Sequence, residues 1–187
     1  ISTFPHDITG ALTYLPNTDF DGNDTFTFTA KDDDNEESNT ATVTITVTNT
    51  NDPPVANSQA LSAEEETETG TITLVATDVD DDDTTLSYTI KTNAASGKLK
   101  DGGTEISTFP HDITGALTYL PNTGFDGDDT FTFTAKDDDA GVSNTATVTI
   151  AVNNNNDPPI AVADVLTVEE DATVTSKDVI ANDTDVD

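Results

Sequence analysis

Carboxylates are the residues of this chain whose number and spacing point to chemistry. Of its 187 residues, 37 are Asp or Glu, against 6 Lys and no Arg, for a formal net charge of -31. The acids gather in short runs at 32–34, 64–66, 78–83, 126–129, 137–139 and 183–187. Asp dominates these runs, and Asn often stands beside it. Short carboxylates two apart in an extended loop converge on a hard cation, and Ca²⁺ takes about six to eight such oxygens. Crowded carboxylates repel one another, and a divalent ion reverses that cost and so stabilises the fold that gathers them. A plainer reading of the same runs is a solvated acidic surface that keeps the chain soluble. Asp78-Val-Asp80 opens like an EF-hand loop, but Asp83 stands where that loop needs glycine and Thr89 where it needs glutamate. The expected ligands therefore come from separate parts of the chain.

Composition excludes several other chemistries. A chain this acidic repels phosphate, which argues against nucleic acid as a partner. Cys is absent, so there is no disulfide frame, thiolate metal site or cysteine nucleophile. No apolar run is long enough for a helix to cross a bilayer, so no membrane insertion is expected in this segment. No leader opens the sequence, and any targeting signal is expected to lie outside it. His6 and His111 each precede an Asp in a repeated Phe-Pro-His-Asp, but no serine elbow accompanies them. Two histidines make a poor zinc site. Sugar-cleaving carboxylate pairs lack aromatic company, since Trp is absent. The chain reads as a non-enzyme.

The elements that must position the acids come from an internal repeat. Residues 1–56 return as 106–161 with nine differences: Asp19/Gly124, Asn23/Asp128, Asn35/Ala140, Glu36/Gly141, Glu37/Val142, Thr46/Ala151, Thr48/Asn153, Thr50/Asn155 and Val55/Ile160. One unit is thus about 105 residues, with its seam at Asn-Asp-Pro-Pro. On that seam, 1–52 is the back half of one unit, 53–157 a complete unit, and 158–187 the start of a third. The sequence reads as an excerpt from a longer array. Strict alternation marks strands at 24–30 and 41–47, with Phe26, Phe28 and Ala30, then Ala41, Val43, Ile45 and Val47, on one face and Thr on the other. Segments 71–75, 86–90, 116–119 and 161–168 also read as strands, and no stretch carries a helical stripe. The expected fold is all-β, a tandem series of antiparallel Greek-key β-sandwich modules.

The order of motifs resembles cadherin-type repeats, in particular the cadherin-like tandem repeats of large bacterial (RTX-type) surface adhesins. Phe131–Asp137, Ala146–Val152 and Asn154-Asn-Asn-Asp157-Pro-Pro look like that family's "AxD … strand … DxNDxxP" ending, and Leu74–Asp80 looks like its "AxDxD". Glu65 and Glu170 look like its early-strand glutamate. The resemblance implies calcium between successive modules. At the first seam it implies Asn49, Asn51 and Asp52 from the linker, Asp78, Asp80 and Asp137 from the following unit, and Asp21 or Asp24 from the preceding one. At the second it implies Asn154, Asn156 and Asp157, with Glu65 and Asp126 or Asp129 from the complete unit. Asp185 and Asp187 come from the third unit, with Asp183 beside them. Asn49 and Asn154 replace the family's usual Asp, and its Asp-Arg-Glu motif is missing.

The function this implies is a calcium-rigidified extender of a long, secreted, cell-surface adhesin that supports adhesion or biofilm formation. Its expected partners are neighbouring repeats of the same chain, with other cells or surface glycans engaged through other domains. The alternative is a carbohydrate-binding or homophilic recognition module of the same fold.

Overall fold

The computed structural model describes residues 6–80, 85–171 and 178–185. They divide into two compact units: the described residues of Ile1–Asp52 with Val79–Asp81, and those of Pro53–Asp78 with Asp82–Asp187.

The first unit contains one antiparallel pair, β1 (Gly22–Phe28) and β2 (Ala41–Val47). The period-two alternation decides which side chains share a face. Ala41, Val43, Ile45 and Val47 are half-buried and the intervening threonines exposed. Phe28 remains 44% exposed and Leu15 90%.

The second unit is a β-sandwich. Its strands are β3 (Val55–Ala56), β4 (Gln59–Glu64), β5 (Ala76–Thr77), β6 (Ser87–Thr92) and β7 (Gly97–Asp101). They continue with β8 (Thr104–Glu105), β9 (His111–Asp112), β10 (Leu117–Pro121), β11 (Gly127–Lys136) and β12 (Ala146–Asn153). One sheet runs β4-β12-β11-β6-β9, a second β10-β7-β8, and β3 pairs with β5. Inward residues of both larger sheets form one core. Ile90, Leu99, Tyr119, Phe131, Phe133, Val148 and Ile150 are all fully buried, and Tyr88 tilts against Phe133. Among the described residues there is no α-helix, as the alternation implies.

Local chemistry fixes the turns. Gly102 and Gly103, both at positive φ (56° and 82°), form the two-residue loop between β7 and β8, a geometry that needs residues without a Cβ penalty. The Tyr119 ring lies where a Cβ on Gly97 would stand, so only glycine fits under it.

The structure departs from the sequence reading in three places. Residues 71–75 lie in no named strand, although Ile72 and Leu74 are buried. Single bonds hold them instead, Ile72 N–H to the Leu117 carbonyl (2.8 Å) and Asn57 N–H to that of Val75 (2.9 Å). Residues 161–168 lie in no named strand; among the described residues of the third repeat the β-bridge is Ile160↔Thr184. Their counterparts in the complete unit pair with β12. Finally, the sandwich is not wholly antiparallel, because β4 runs parallel to β12 from Gln59↔Val148 to Glu64↔Asn153.

Candidate metal centre

In the second unit the C-terminal end of β12 opens into the linker Asn153–Asp157. β4 runs beside it in parallel and delivers Glu65 to the same end. Glu65 is only 2% exposed, and its main-chain N–H is bonded to the Asn153 carbonyl (3.0 Å). Its Oε1 accepts the N–H of Asn155 (2.7 Å), and the neighbouring Glu64 Oε1 accepts Asn153 Nδ2 (3.0 Å). A carboxylate is thus shut into the module's end and turned onto the linker backbone. Asn154 and Asn156 are exposed and Asp157 half-buried.

Asp126 and Asp129 were the two alternatives at this end, and their surroundings differ. Asp126 is exposed. Asp129 is 4% exposed, and its Oδ1 accepts the N–H groups of Ala95 (2.9 Å) and Thr130 (2.8 Å). Its Oδ2 accepts Ser96 N–H (2.8 Å) and the Tyr119 hydroxyl (2.8 Å). Both oxygens are engaged in tying the 95–96 turn and β10 to β11. Burial, then the hydrogen bond and charge of Asp129, push the Tyr119 hydroxyl well above the ordinary tyrosine range.

Asp137 is also buried, at 4% exposure, and its Oδ1 accepts Gly141 N–H (2.6 Å) across the tight loop after β11. Asp78 follows β5 and is half-buried, with Oδ2 shut off from solvent. Glu170 is exposed. Asp183 is half-buried, its Oδ1 accepting Val162 N–H (2.8 Å), and Asp185 is exposed. Asp187 lies outside the described residues.

In the first unit, Asp80 Oδ2 accepts the N–H of Asp52. Asn49 and Asp52 line an open hollow with Asp19 and Val47, and Asn51 Oδ1 is shut off from solvent. Asp21 is exposed, whereas Asp24 accepts the Tyr14 hydroxyl (2.9 Å) and Thr25 N–H (2.7 Å). Among the described residues no three His, Cys, Asp or Glu side chains converge as a metal site. The donor types nonetheless suit a hard cation: carboxylate and amide oxygens, without nitrogen or sulfur.

Sequence reasoning missed one buried carboxylate. Asp101, at the end of β7, has a side chain 8% exposed and clamps the 111–115 loop. Its Oδ2 accepts Thr114 N–H (3.0 Å) and the Thr114 hydroxyl (3.0 Å), with His111 Nε2 at 3.2 Å, and its Oδ1 accepts Gly115 N–H (2.6 Å). Burial pushes this carboxyl up. The bonds from Thr114, His111 and Gly115 outweigh that and hold it below the usual carboxylate range. His111 therefore meets Asp101 rather than its sequence neighbour Asp112, whose Oδ1 accepts the Thr89 hydroxyl (2.6 Å).

Comparison with known proteins bears on the same regions. Residues 51–154 match the profile of the bacterial cadherin-like domain, and residues 2–46 that of a bacterial Ig domain. Comparison with curated proteins returns no match. Similar solved structures include the endo-fucoidan hydrolase MfFcnA4 of glycoside hydrolase family 107. It is 20% identical, with a TM-score of 0.38, over 75% of this chain and 20% of that one. The fibronectin(III)-like modules of Clostridium thermocellum CbhA are 14% identical, with a TM-score of 0.24, over 54% of this chain and 98% of theirs. SGBP-B of the Bacteroides ovatus mixed-linkage glucan utilization locus, in complex with a heptasaccharide, is 18% identical, with a TM-score of 0.20, over 86% and 40%. The chain spans about a fifth of the length of the fucoidan hydrolase. Likenesses this distant carry no functional argument.

Proposed function

The chain belongs to the bacterial cadherin-like domain family, and from that premise we propose that it is a calcium-rigidified extender of a secreted cell-surface adhesin. Bacterial cadherin-like and Ig domains are extender or adhesion modules typical of extracellular or surface proteins, and typically non-catalytic. The finer reading concerns calcium and stiffness, and one observation carries it: Glu65, buried at the module's end with its carboxylate on the Asn155 amide.

Holding a carboxylate out of water beside an acidic linker is costly without a cation. Glu65, Asp126, Asn154, Asn156 and Asp157 supply the oxygens, with Asp183 and Asp185 from the next repeat. Calcium there neutralises the acids and removes the linker's freedom. The near-identical linker Asn49–Asp52 carries the same donor types, with Asp78, Asp80 and Asp137 as the downstream acids. A string of such modules stiffens where calcium is near millimolar and stays limp where it is scarce, which suits export followed by extension. Adhesion or biofilm formation is then the task of domains held at its far end.

The test is thermal unfolding and small-angle scattering in EDTA and after calcium is restored. Calcium at roughly ten to a hundred times its dissociation constant adds about 1.4–2.7 kcal/mol of stability. The expected outcome is a higher Tm and a longer maximum dimension with calcium, with Glu65→Gln blunting the Tm response. An unchanged Tm and dimension across the titration overturns the proposal.

A further inference from the structure

The dipeptide Asp-Gly occurs at 21–22, 101–102 and 126–127, and the complete unit holds the last two in opposite states. In this pair a side-chain carboxyl is open to attack by its own main chain, because glycine puts no Cβ beside the attacking nitrogen. At the end of β7, Asp101-Gly102 is closed to that reaction. The Asp101 side chain is 8% exposed, and its two oxygens accept bonds from Thr114 and Gly115, with His111 beside them. Gly102 N–H is itself engaged, donating to the Ala116 carbonyl (3.0 Å). Asp126-Gly127, at the start of β11, is open. Both residues are exposed, and among the described residues no hydrogen bond is made to the Asp126 carboxylate. Nothing lies within 4 Å of the place a Cβ on Gly127 would take. The turn that carries the pair belongs to the complete unit: Phe125 N–H donates to the Asn122 carbonyl (3.2 Å), and Asn122 N–H to that of Ser96 (2.9 Å).

We propose that Asp126 is a site of spontaneous isomerisation to isoaspartate through a cyclic imide, and that the Asp101 clamp withholds the same chemistry from its own Asp-Gly pair. The Gly127 main-chain nitrogen attacks the side-chain carboxyl carbon of Asp126. A C–N bond forms, and the hydroxyl of the protonated carboxyl leaves with the amide proton as water. Water then adds to the main-chain carbonyl of the ring, the original peptide bond breaks, and the chain continues through the side-chain carboxyl. One water is lost and one regained, with no oxidant, reductant or metal. The product carries one extra main-chain carbon at the threshold of β11, where Gly127 pairs with Val152, and a free main-chain carboxylate in place of the side chain. A carboxylate of the calcium reading is displaced by this, but the reaction stands independently of that reading.

Peptide mapping of the whole chain, held for weeks at neutral pH in EDTA, tests this. Electron-transfer fragmentation tells isoaspartate from aspartate, and heavy-oxygen water labels the product. In the folded chain the bonds on Asp101 must open before it reacts, so isoaspartate carrying one solvent oxygen is expected at 126 in about tenfold excess or more over 101. In urea the two sites approach equal rates, because the clamp is gone. Asp126→Glu, a change at an exposed position that enlarges the ring, removes the signal at 126 and leaves the yield at 101 as it was. Equal yields at 126 and 101 in the folded chain, an unmodified Asp126 under conditions where the unfolded chain reacts, or an excess at 126 undiminished in urea each overturns the proposal.

Discussion

Residues 1–52 and 106–157 are nearly one sequence folded twice, and their fates differ. The hairpin is the same in both: Gly22↔Val47 through Phe28↔Ala41 repeats as Gly127↔Val152 through Phe133↔Ala146. Burial is not. Phe133 is fully buried and its counterpart Phe28 is 44% exposed; Tyr119 is fully buried and Tyr14 is 40% exposed. None of the eight substitutions between these segments explains this, since the inward apolar residues of the two hairpins are identical. The difference is what packs on them. Residues 53–105 give the second copy β3 to β8, and with them Ile72, Leu74, Leu86, Ile90 and Leu99 to complete the core. Alternation alone therefore writes the hairpin and its register, and contacts distant in sequence convert it into a core.

The largest effect that separates the copies is a truncation of the shared face. Phe131→Ala removes a fully buried ring and costs about 3–5 kcal/mol. Phe26→Ala, the same change in the half-buried copy, costs well under that, about 1 kcal/mol or less. Urea unfolding of the two variants followed by hydrogen exchange resolves them hairpin by hairpin. Equal costs would mean that the first hairpin is covered as fully as the second.

The Tyr–Asp pair makes the same comparison in electrostatic form. Tyr14 and Asp24 hold each other as Tyr119 and Asp129 do, through bonds of 2.9 and 2.8 Å. Only Asp129 also receives the Ala95 and Ser96 amides. Burial and then the facing Asp raise both phenols, the Tyr119 hydroxyl further than that of Tyr14. A phenol raised in the folded state stabilises the fold fully below its unfolded value, near 10, and that contribution is lost as pH rises toward the folded value. Alkaline titration followed by phenolate absorbance therefore shows Tyr14 ionising before Tyr119, with Tyr119 appearing only as the sandwich unfolds. Tyr119→Phe moves the alkaline unfolding midpoint, and Tyr14→Phe leaves it in place. Simultaneous ionisation of the two would break the contrast.

How far the sequence discloses this follows from the same residues. The strands with strict alternation, β1, β2, β11 and β12, are legible because period two is a local property. The parallel pairing of β4 with β12 is not, because its register is set between residues 89 apart, as in Val148↔Gln59. At the candidate site, the acid-rich linker and Glu65 are legible as charge and position. The engagement of Asp129 within the core is legible in hindsight, since its parity is that of Phe131, Phe133 and Ala135 and points inward. The same parity puts Asp137 inside. Asp101 shares the parity of buried Leu99 in β7, but its partners Thr114 and Gly115 come from a turn whose approach to β7 only the folded sheet defines.

The smallest expected effect sits in the loop that closes each hairpin, where the copies differ in sequence but not in conformation. Asn35 and Ala140 occupy the same position and both take a positive φ, 66° and 76°. The flanking geometry is also shared: Lys31 bridges Glu37 in one copy and Lys136 bridges Val142 in the other. Asparagine tolerates the left-handed region because its short amide bonds locally, whereas a Cβ without that compensation strains against the carbonyl. Ala140 therefore carries strain that Asn35 avoids, in the loop where Asp137 Oδ1 already accepts Gly141 N–H. Ala140→Asn relieves it and stabilises the complete unit by about 0.5–1 kcal/mol. Asn35→Ala destabilises the first hairpin by a similar amount, seen as faster amide exchange across β1 and β2. Opposite signs at equivalent positions, read from urea midpoints for the first variant and exchange rates for the second, are the expected result. A neutral Ala140→Asn would mean that the adjacent Gly141 absorbs the strain and that the two loops, alike in φ, are held by different forces.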